Sequence, residues 1–260
     1  MLLALDAGNT NLTIGVFRGR ELTDHWRLRT VHGQTADEWG ILLRTLFTLS
    51  GLRLADVDGI IIASVVPPLD SSLAQMAGDY FHTEAMFVTS STDTGLRICY
   101  ENPREVGADR IVNSAAAWHK YGGPCVVVDL GTAITFDAIS ANAEYLGGLI
   151  CPGIGIAVEG LFTKAARLPL VDVRRPDKLI GTNTVGSMQS GLYYGALGMI
   201  DGILERLIRE LGPGTKIVGT GGQARVIIGG STYIKTVDEN LTLEGLELIW
   251  RRAQGPASGI

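Results

Sequence analysis

Two stretches of this chain run to the same plan. Leu2–Leu5 is a short apolar run that reaches Asp6-Ala7-Gly8, turns through Asn9-Thr10-Asn11 and resumes as Leu12–Phe17. Nearly half the chain later, Cys125–Val128 reaches Asp129-Leu130-Gly131, turns at Thr132 and resumes as Ile134–Ile139. Each reads as strand, tight turn, strand. D-x-G alone is a weak signal. Two copies, each placed in a strand–turn–strand unit, point to a duplicated, two-lobed α/β fold. Gly122-Gly123-Pro124 is the expected lobe boundary, dividing the chain into residues 1–121 and 122–260.

The remaining pattern fills in both lobes. In the first, His25–Leu28 reads as a strand. Residues 35–49 read as a helix, with Trp39, Leu42, Leu43 and Leu46 at helical spacing and Thr35 and Glu38 as a capping box. Gly59–Ser64 (GIIIAS) has the continuous apolar character of a strand buried on both faces. Pro67-Pro68 should break the chain before a helix at 69–80; Ala85–Val88 reads as a strand and Asp109–Tyr121 as a helix. In the second lobe, strands are expected at Tyr145–Ile150 and Lys216–Val218. Helices are expected at 153–167, at 187–211, from Gln223 and at 241–253, with 254–260 fraying. Gly191, Gly195, Gly198 and Gly202 share one side of the helix at 187–211. Each costs about 1 kcal/mol of helix propensity. Something must approach that side closely, either the second lobe's sheet or the same helix of a partner.

Composition removes several function classes. Glycine makes up 34 of 260 residues, about twice the usual share, yet without a collagen period. Hydrophobic residues at 46% provide for a sizeable core. A net charge of -5 disfavours broad nucleic-acid binding, and 7% aromatics disfavour stacking on single strands. Cys99, Cys125 and Cys151 form no close pair, which fits a reducing compartment and excludes a structural zinc site. The start MLLALDAGN reads as neither signal peptide nor span, and no apolar run reaches 18 residues. The expectation is a soluble, cytoplasmic protein with no membrane or nucleic-acid partner. His25, His32, His82 and His119 are dispersed, without the spacing of a metal or triad motif. Trp26, Trp39, Trp118 and Trp250 read as core, and Lys164 and Arg167 as a solvated helix face.

Four segments have the residues for chemistry. Asp6–Thr13 (DAGNTNLT) places a carboxylate at a strand end, then Gly8, then Asn9, Thr10, Asn11 and Thr13 as donors; backbone N–H groups of such a turn can cradle an anion. An Asx-type hairpin turn uses the same residues. Asp129-Leu130-Gly131-Thr132 repeats the carboxylate; facing each other across a cleft, Asp6 and Asp129 would hold a cation that neutralises nucleotide phosphates. Gly219-Thr220-Gly221-Gly222 would let a ring or ribose lie against backbone, or is a packed strand-to-helix turn. Gly107-Ala108-Asp109-Arg110 sits at a helix start. Asp109 there is a plain cap or a group for a substrate hydroxyl, Arg110 has a fork that grips a carboxylate, and Tyr100 is placed to line the same pocket. A Walker-type loop is missing, as is a dinucleotide fingerprint: Gly153-Ile154-Gly155 is a lone G-x-G.

Taken in order, DAGNTNLTIG at 6–15, GADR at 107–110, DLGTAITFD at 129–137, YLGGLICPG at 145–153, NTVGSMQSG at 183–191 and TGG at 220–222 resemble the type III pantothenate kinase family. That family lies within the acetate and sugar kinase, Hsc70 and actin superfamily. The resemblance implies a two-lobed, duplicated ribonuclease H-like fold with mixed sheets flanked by helices. It implies ATP-dependent phosphorylation of pantothenate, the first step of coenzyme A synthesis. Asp6, Ala7, Gly8, Asn9, Thr10, Asn11, Leu12 and Thr13 would form the ATP phosphate loop, and Asp6 would also meet Mg²⁺, directly or through water. Thr132, Gly221 and Gly222 would touch ATP. Tyr100, Gly107, Ala108, Asp109, Arg110 and Thr184 would bind pantothenate, with Asp109 as proton acceptor. Asp129 would ligate a monovalent cation, K⁺ or NH₄⁺. The family works as a homodimer, so the second lobe would hold the dimerisation surface. Ala157-Val158-Glu159-Gly160 departs locally from the family's pattern.

Three other readings compete. Another small-molecule kinase of the superfamily would have different blocks in place of GADR and NTVGS. A noncatalytic regulator that keeps the ATP cleft would lack the counterpart of Asp109, which is present here. An actin-like filament former would be a longer chain with large insertions.

Overall fold

The structure is a computed structural model that describes residues 1–255. In chain order its elements are β1 (Leu2–Ala7), β2 (Asn11–Arg18), β3 (Glu21–Arg29), α1 (Ala36–Leu49), β4 (Gly59–Ser64), α2 (Pro67–Phe81), β5 (Ala85–Phe87), β6 (Arg97–Ile98) and α3 (Ala108–Tyr121). There follow β7 (Cys125–Leu130), β8 (Ala133–Ile139), β9 (Glu144–Pro152), α4 (Ile154–Lys164), α5 (Thr184–Leu211), β10 (Lys216–Thr220), α6 (Ala224–Ile228), β11 (Thr236–Val237) and α7 (Leu241–Ala253).

The duplication is visible strand by strand. One sheet has the order β3-β2-β1-β4-β5 and the other β11-β10-β7-β8-β9-β6. β1 is antiparallel to β2 and parallel to β4; β7 is antiparallel to β8 and parallel to β10. The burial patterns of β1 and β7 are identical, fully buried except for the residue before the last. That residue is Asp6 in one and Asp129 in the other. Both aspartates lie inside the paired strands. Asp6 stands opposite Thr13 and Ala63, and Asp129 opposite Thr135 and Thr220. The apolar runs therefore understate both strands. A central strand paired on both sides keeps its backbone hydrogen bonds satisfied through a polar residue.

The chain forms two compact units. The first comprises Met1–Leu96, Tyr100–Ala116 and the chain from Leu241 on; the second comprises Arg97–Cys99 and Ala117–Asn240. This corrects the expected division at 121/122. The chain crosses within α3, and α7 returns to the first unit. Small residues make that return possible. An added Cβ at Gly245 would lie 2.7 Å from the Val112 carbonyl oxygen, and one at Gly59 would lie 2.2 Å from the Trp250 ring. No local pattern announces such contacts. The first core gathers Leu3, Leu5, Ile14, Trp39, Leu43, Ile60 and Leu73; the second gathers Val126, Val128, Phe136, Met188, Tyr193 and Leu204.

Local expectations hold with instructive exceptions. Thr35 caps α1 in a complete capping box with Glu38. Pro67 and Pro68 open α2 instead of standing before it, as suits residues whose missing N–H would be unpaired in the first turn anyway. The exposed helix start at Thr184 precedes the first apolar residue of α5; its cap is Asn183, whose side chain accepts from the Gly186 N–H at 2.8 Å. The glycine side of α5 is open. Among the described residues, a Cβ at Gly191, Gly195 or Gly198 would meet nothing within 4 Å. The unit's own sheet does not approach it, which overturns one of the two expectations. α7 ends at Ala253, and Gln254 and Gly255 donate to the carbonyls of Trp250 and Arg252. Residues 256–260 lie outside the described residues.

Candidate active site

In the first unit the loop between β1 and β2 is short and closed. The Gly8 N–H donates to the Asn11 carbonyl at 3.0 Å, and a Cβ at Gly8 would come within 3.1 Å of that oxygen. Asn9 and Thr10 are exposed, Asn11 and Thr13 half-buried, and Ala7 and Leu12 buried in the sheet. Of the expected segment, the tip is thus available to a ligand, while Ala7 and Leu12 offer backbone alone. Thr30 was not anticipated here. Its hydroxyl donates to the Gly8 carbonyl at 2.6 Å and its N–H to the Thr10 carbonyl at 3.0 Å.

GADR belongs to the same unit, and Val65 links it to that loop. The Val65 N–H donates to the Ala7 carbonyl at 3.0 Å, and its Cγ1 lies 3.3 Å from where a Cβ of Gly107 would stand. That Cβ would also lie 2.6 Å from Asp109 Oδ1. Residue 107 must therefore lack a side chain for the Asp109 carboxylate to fold back over it. Asp109 Oδ1 accepts the Arg110 N–H at 2.7 Å. Burial pushes the Asp109 carboxyl above the ordinary range, and the hydrogen bond and charge of Arg110 oppose that shift without cancelling it. Ala108 and Arg110 are buried, Tyr100 half-buried. Ser64, another residue the sequence did not single out, donates to Asp70 at 2.5 Å and accepts the Val66 N–H at 3.2 Å, which fixes the turn holding Val65.

In the second unit two glycines pack around the turn that starts at Asp129. Gly221 has φ +91°, and a Cβ there would stand 2.3 Å from Asp129 Oδ1 and 2.7 Å from the Leu130 nitrogen. The Gln223 N–H donates to the Leu130 carbonyl at 3.1 Å. Gly153 packs on the other side of the turn: its Cβ would stand 2.1 Å from the Thr132 carbonyl oxygen and 2.7 Å from that of Gly131. Asp129, Thr132, Gly221 and Gly222 are thus brought together, with Gly153 as an unforeseen packing partner. The sequence offered a lone G-x-G for it, which says nothing of what lies against it.

Thr184 is exposed at the start of α5 and lines a cavity of about 730 Å³ with Leu161, Asn183, Ser187 and Met188. Among the described residues no cluster of three or more His, Cys, Asp or Glu could hold a metal ion. A cation here would rest on one carboxylate plus carbonyl, ligand or water oxygens, which suits hard cations. Cys99 is exposed, Cys125 is buried and Cys151 half-buried.

Known proteins point the same way. The family model for type III pantothenate kinases matches residues 2–206. A type III pantothenate kinase of Solibacter usitatus is 68% identical over 97% of this chain and 97% of its own length. One of Koribacter versatilis is 54% identical over 98% of this chain and 96% of its own. A ROK family protein of Streptococcus pneumoniae, solved with sucrose, shares the fold at 12% identity, with a TM-score of 0.51 over 97% of this chain and 98% of its own. A family model over most of the chain and near-full-length identity at this level make this chain a member of the type III pantothenate kinase family.

Proposed function

We propose that the chain transfers the γ-phosphoryl group of ATP to the primary hydroxyl of pantothenate, with Asp109 taking the hydroxyl proton. The pantoyl oxygen forms the new bond to phosphorus, the bond to the β-phosphate oxygen breaks, and ADP leaves. The observation that carries this reading is the Asp109 carboxylate itself. It is closely surrounded by protein, its pKa is raised by burial, and it is joined through Val65 to the loop that follows Asp6. A base whose pKa moves toward the working pH takes a proton more readily in the transition state.

Each remaining role follows the chemistry of its residue. Asn9, Thr10, Asn11 and Thr13 offer donors for the ATP phosphates, with Ala7, Gly8 and Leu12 as their backbone frame. Thr132, Gly221 and Gly222 take the rest of the nucleotide. Gly107, Ala108, Tyr100 and Thr184 contact pantothenate, and the Arg110 guanidinium pairs with its carboxylate. Asp6 meets Mg²⁺, directly or through water, and Asp129 holds K⁺ or NH₄⁺. Such cations offset phosphate charge when bound. The enzyme is a cytoplasmic homodimer. Two features of the second unit support the pairing: the open glycine side of α5, and the exposed apolar residues Ile150, Phe162, Leu170, Leu179 and Ile180.

A coupled assay of ADP release against a panel of hydroxy acids and sugars tests the reading. Pantothenate should be the outstanding acceptor, and equal turnover of a sugar would overturn it.

A further inference from the structure

Thr30 stands one residue beyond β3 and is 8% exposed. Its register explains its reach. β3 pairs with β2 as far as Arg29 opposite Asn11, so the next residue arrives beside the β1–β2 loop. There it makes two hydrogen bonds to one short turn: hydroxyl to the Gly8 carbonyl at 2.6 Å, and N–H to the Thr10 carbonyl at 3.0 Å. The third link, from the Gly8 N–H to the Asn11 carbonyl, closes the turn on itself. Three carbonyl oxygens of this loop are therefore committed to protein donors. An anion is repelled by carbonyl oxygens and held by N–H groups.

We propose that Thr30 is a positioning residue for ATP: by holding the Gly8 and Thr10 carbonyls it keeps the loop in the shape that receives phosphate. The proposal rests on the reading of Asp6–Thr13 as the phosphate loop. Thr30 itself touches no substrate in this scheme. Its hydroxyl acts through the Gly8 carbonyl, so its loss should weaken ATP binding and leave pantothenate binding alone.

The test is calorimetric binding of a non-hydrolysable ATP analogue, with KM measured for both substrates, on the full-length enzyme. Thr30→Val keeps the shape and removes the hydroxyl. It should weaken the analogue and raise the ATP KM about tenfold, the effect of losing one buried hydrogen bond, with the pantothenate KM within about twofold. Thr30→Ser restores the donor and should match the parent. Asn9→Ala, at the exposed loop tip, reports on the loop itself. If Asn9→Ala weakens the analogue and Thr30→Val does not, the Thr30 proposal is overturned and the loop reading stands. If neither weakens it, both fall. Equal losses for ATP and pantothenate in Thr30→Val would mark a merely structural residue and overturn the proposal. Should Thr30→Val not fold, Thr30→Ala is read in its place, and a Thr30→Ser variant impaired tenfold overturns the proposal as well.

Discussion

Asp109, proposed above as the base, shows how one residue's setting changes a carboxyl in the first turn of a helix. Its carboxyl is raised by burial, so in the folded protein it binds a proton at a pH where the unfolded chain has released it. The sign follows. Folding stability linked to this group is greatest at low pH and falls as pH rises from the ordinary carboxylate range through the raised value. Activity runs the other way, since the base must be ionised. The acid limb of kcat/KM should therefore lie above the ordinary carboxylate range. Asp109→Asn should lose 10²–10⁴-fold, roughly the worth of a general base, while gaining a little stability at neutral pH. Steady-state kinetics over pH, with thermal melts, check both; a loss under about fivefold sinks the assignment. The cysteines divide on the same grounds. Burial pushes the Cys125 thiol up to about 12, opposed by Lys216, whereas Cys99 is exposed. Mass spectrometry after brief iodoacetamide treatment at pH 8 should find Cys99 modified and Cys125 untouched until the protein is unfolded.

At the scale of elements, periodicity was readable and contact was not. The capping box at Thr35, the all-apolar β4 and the helical spacing of α1 depend on neighbours within a few positions, and those patterns lie open in the chain. Gly221 is different. Its turn looked like any strand-to-helix glycine, yet its positive φ and the Asp129 carboxylate beside it forbid a side chain. Gly221→Ala should destabilise the protein by about 1–3 kcal/mol, the range for strained backbone, measured by urea unfolding. It should also disturb Asp129. Under the proposed cation role, activity of the parent should rise strongly when K⁺ or NH₄⁺ replaces Na⁺ at fixed ionic strength, and this response should shrink in Gly221→Ala. Equal activity in all three salts removes the specific ion.

For the whole molecule, the glycine side of α5 is the informative surface. Propensity argues against four glycines on one helix side, and within the described chain nothing packs against Gly191, Gly195 or Gly198. Under the proposed pairing, a close helix approach by a second copy would account for them, in keeping with the two-fold pairing common among soluble oligomers. Gly195→Leu then separates folding from assembly. The substitution has room within the chain and improves helix propensity, so melts should hold or rise. Sedimentation across a dilution series should show the parent as a dimer and the variant shifted to monomer. A parent that is monomeric and fully active overturns the dimer, and an unshifted variant removes α5 from the contact.

The duplicated plan, the repeated aspartates and the ordered family blocks were all legible in the chain, because they rest on residue type and spacing over short stretches; that each aspartate is still inside its strand was not. Those blocks carried the resemblance to the family, and the family model and full-length identities then showed it. Three things were not legible: the return of α7 to the first unit, the hold of Thr30 on Gly8 and Thr10, and the packing of Gly153 and Gly221 around the Asp129 turn. Each depends on which backbones meet across long sequence separations. A glycine that admits a neighbouring carbonyl and a glycine that merely turns the chain are written with the same letter, and only the packed fold distinguishes them.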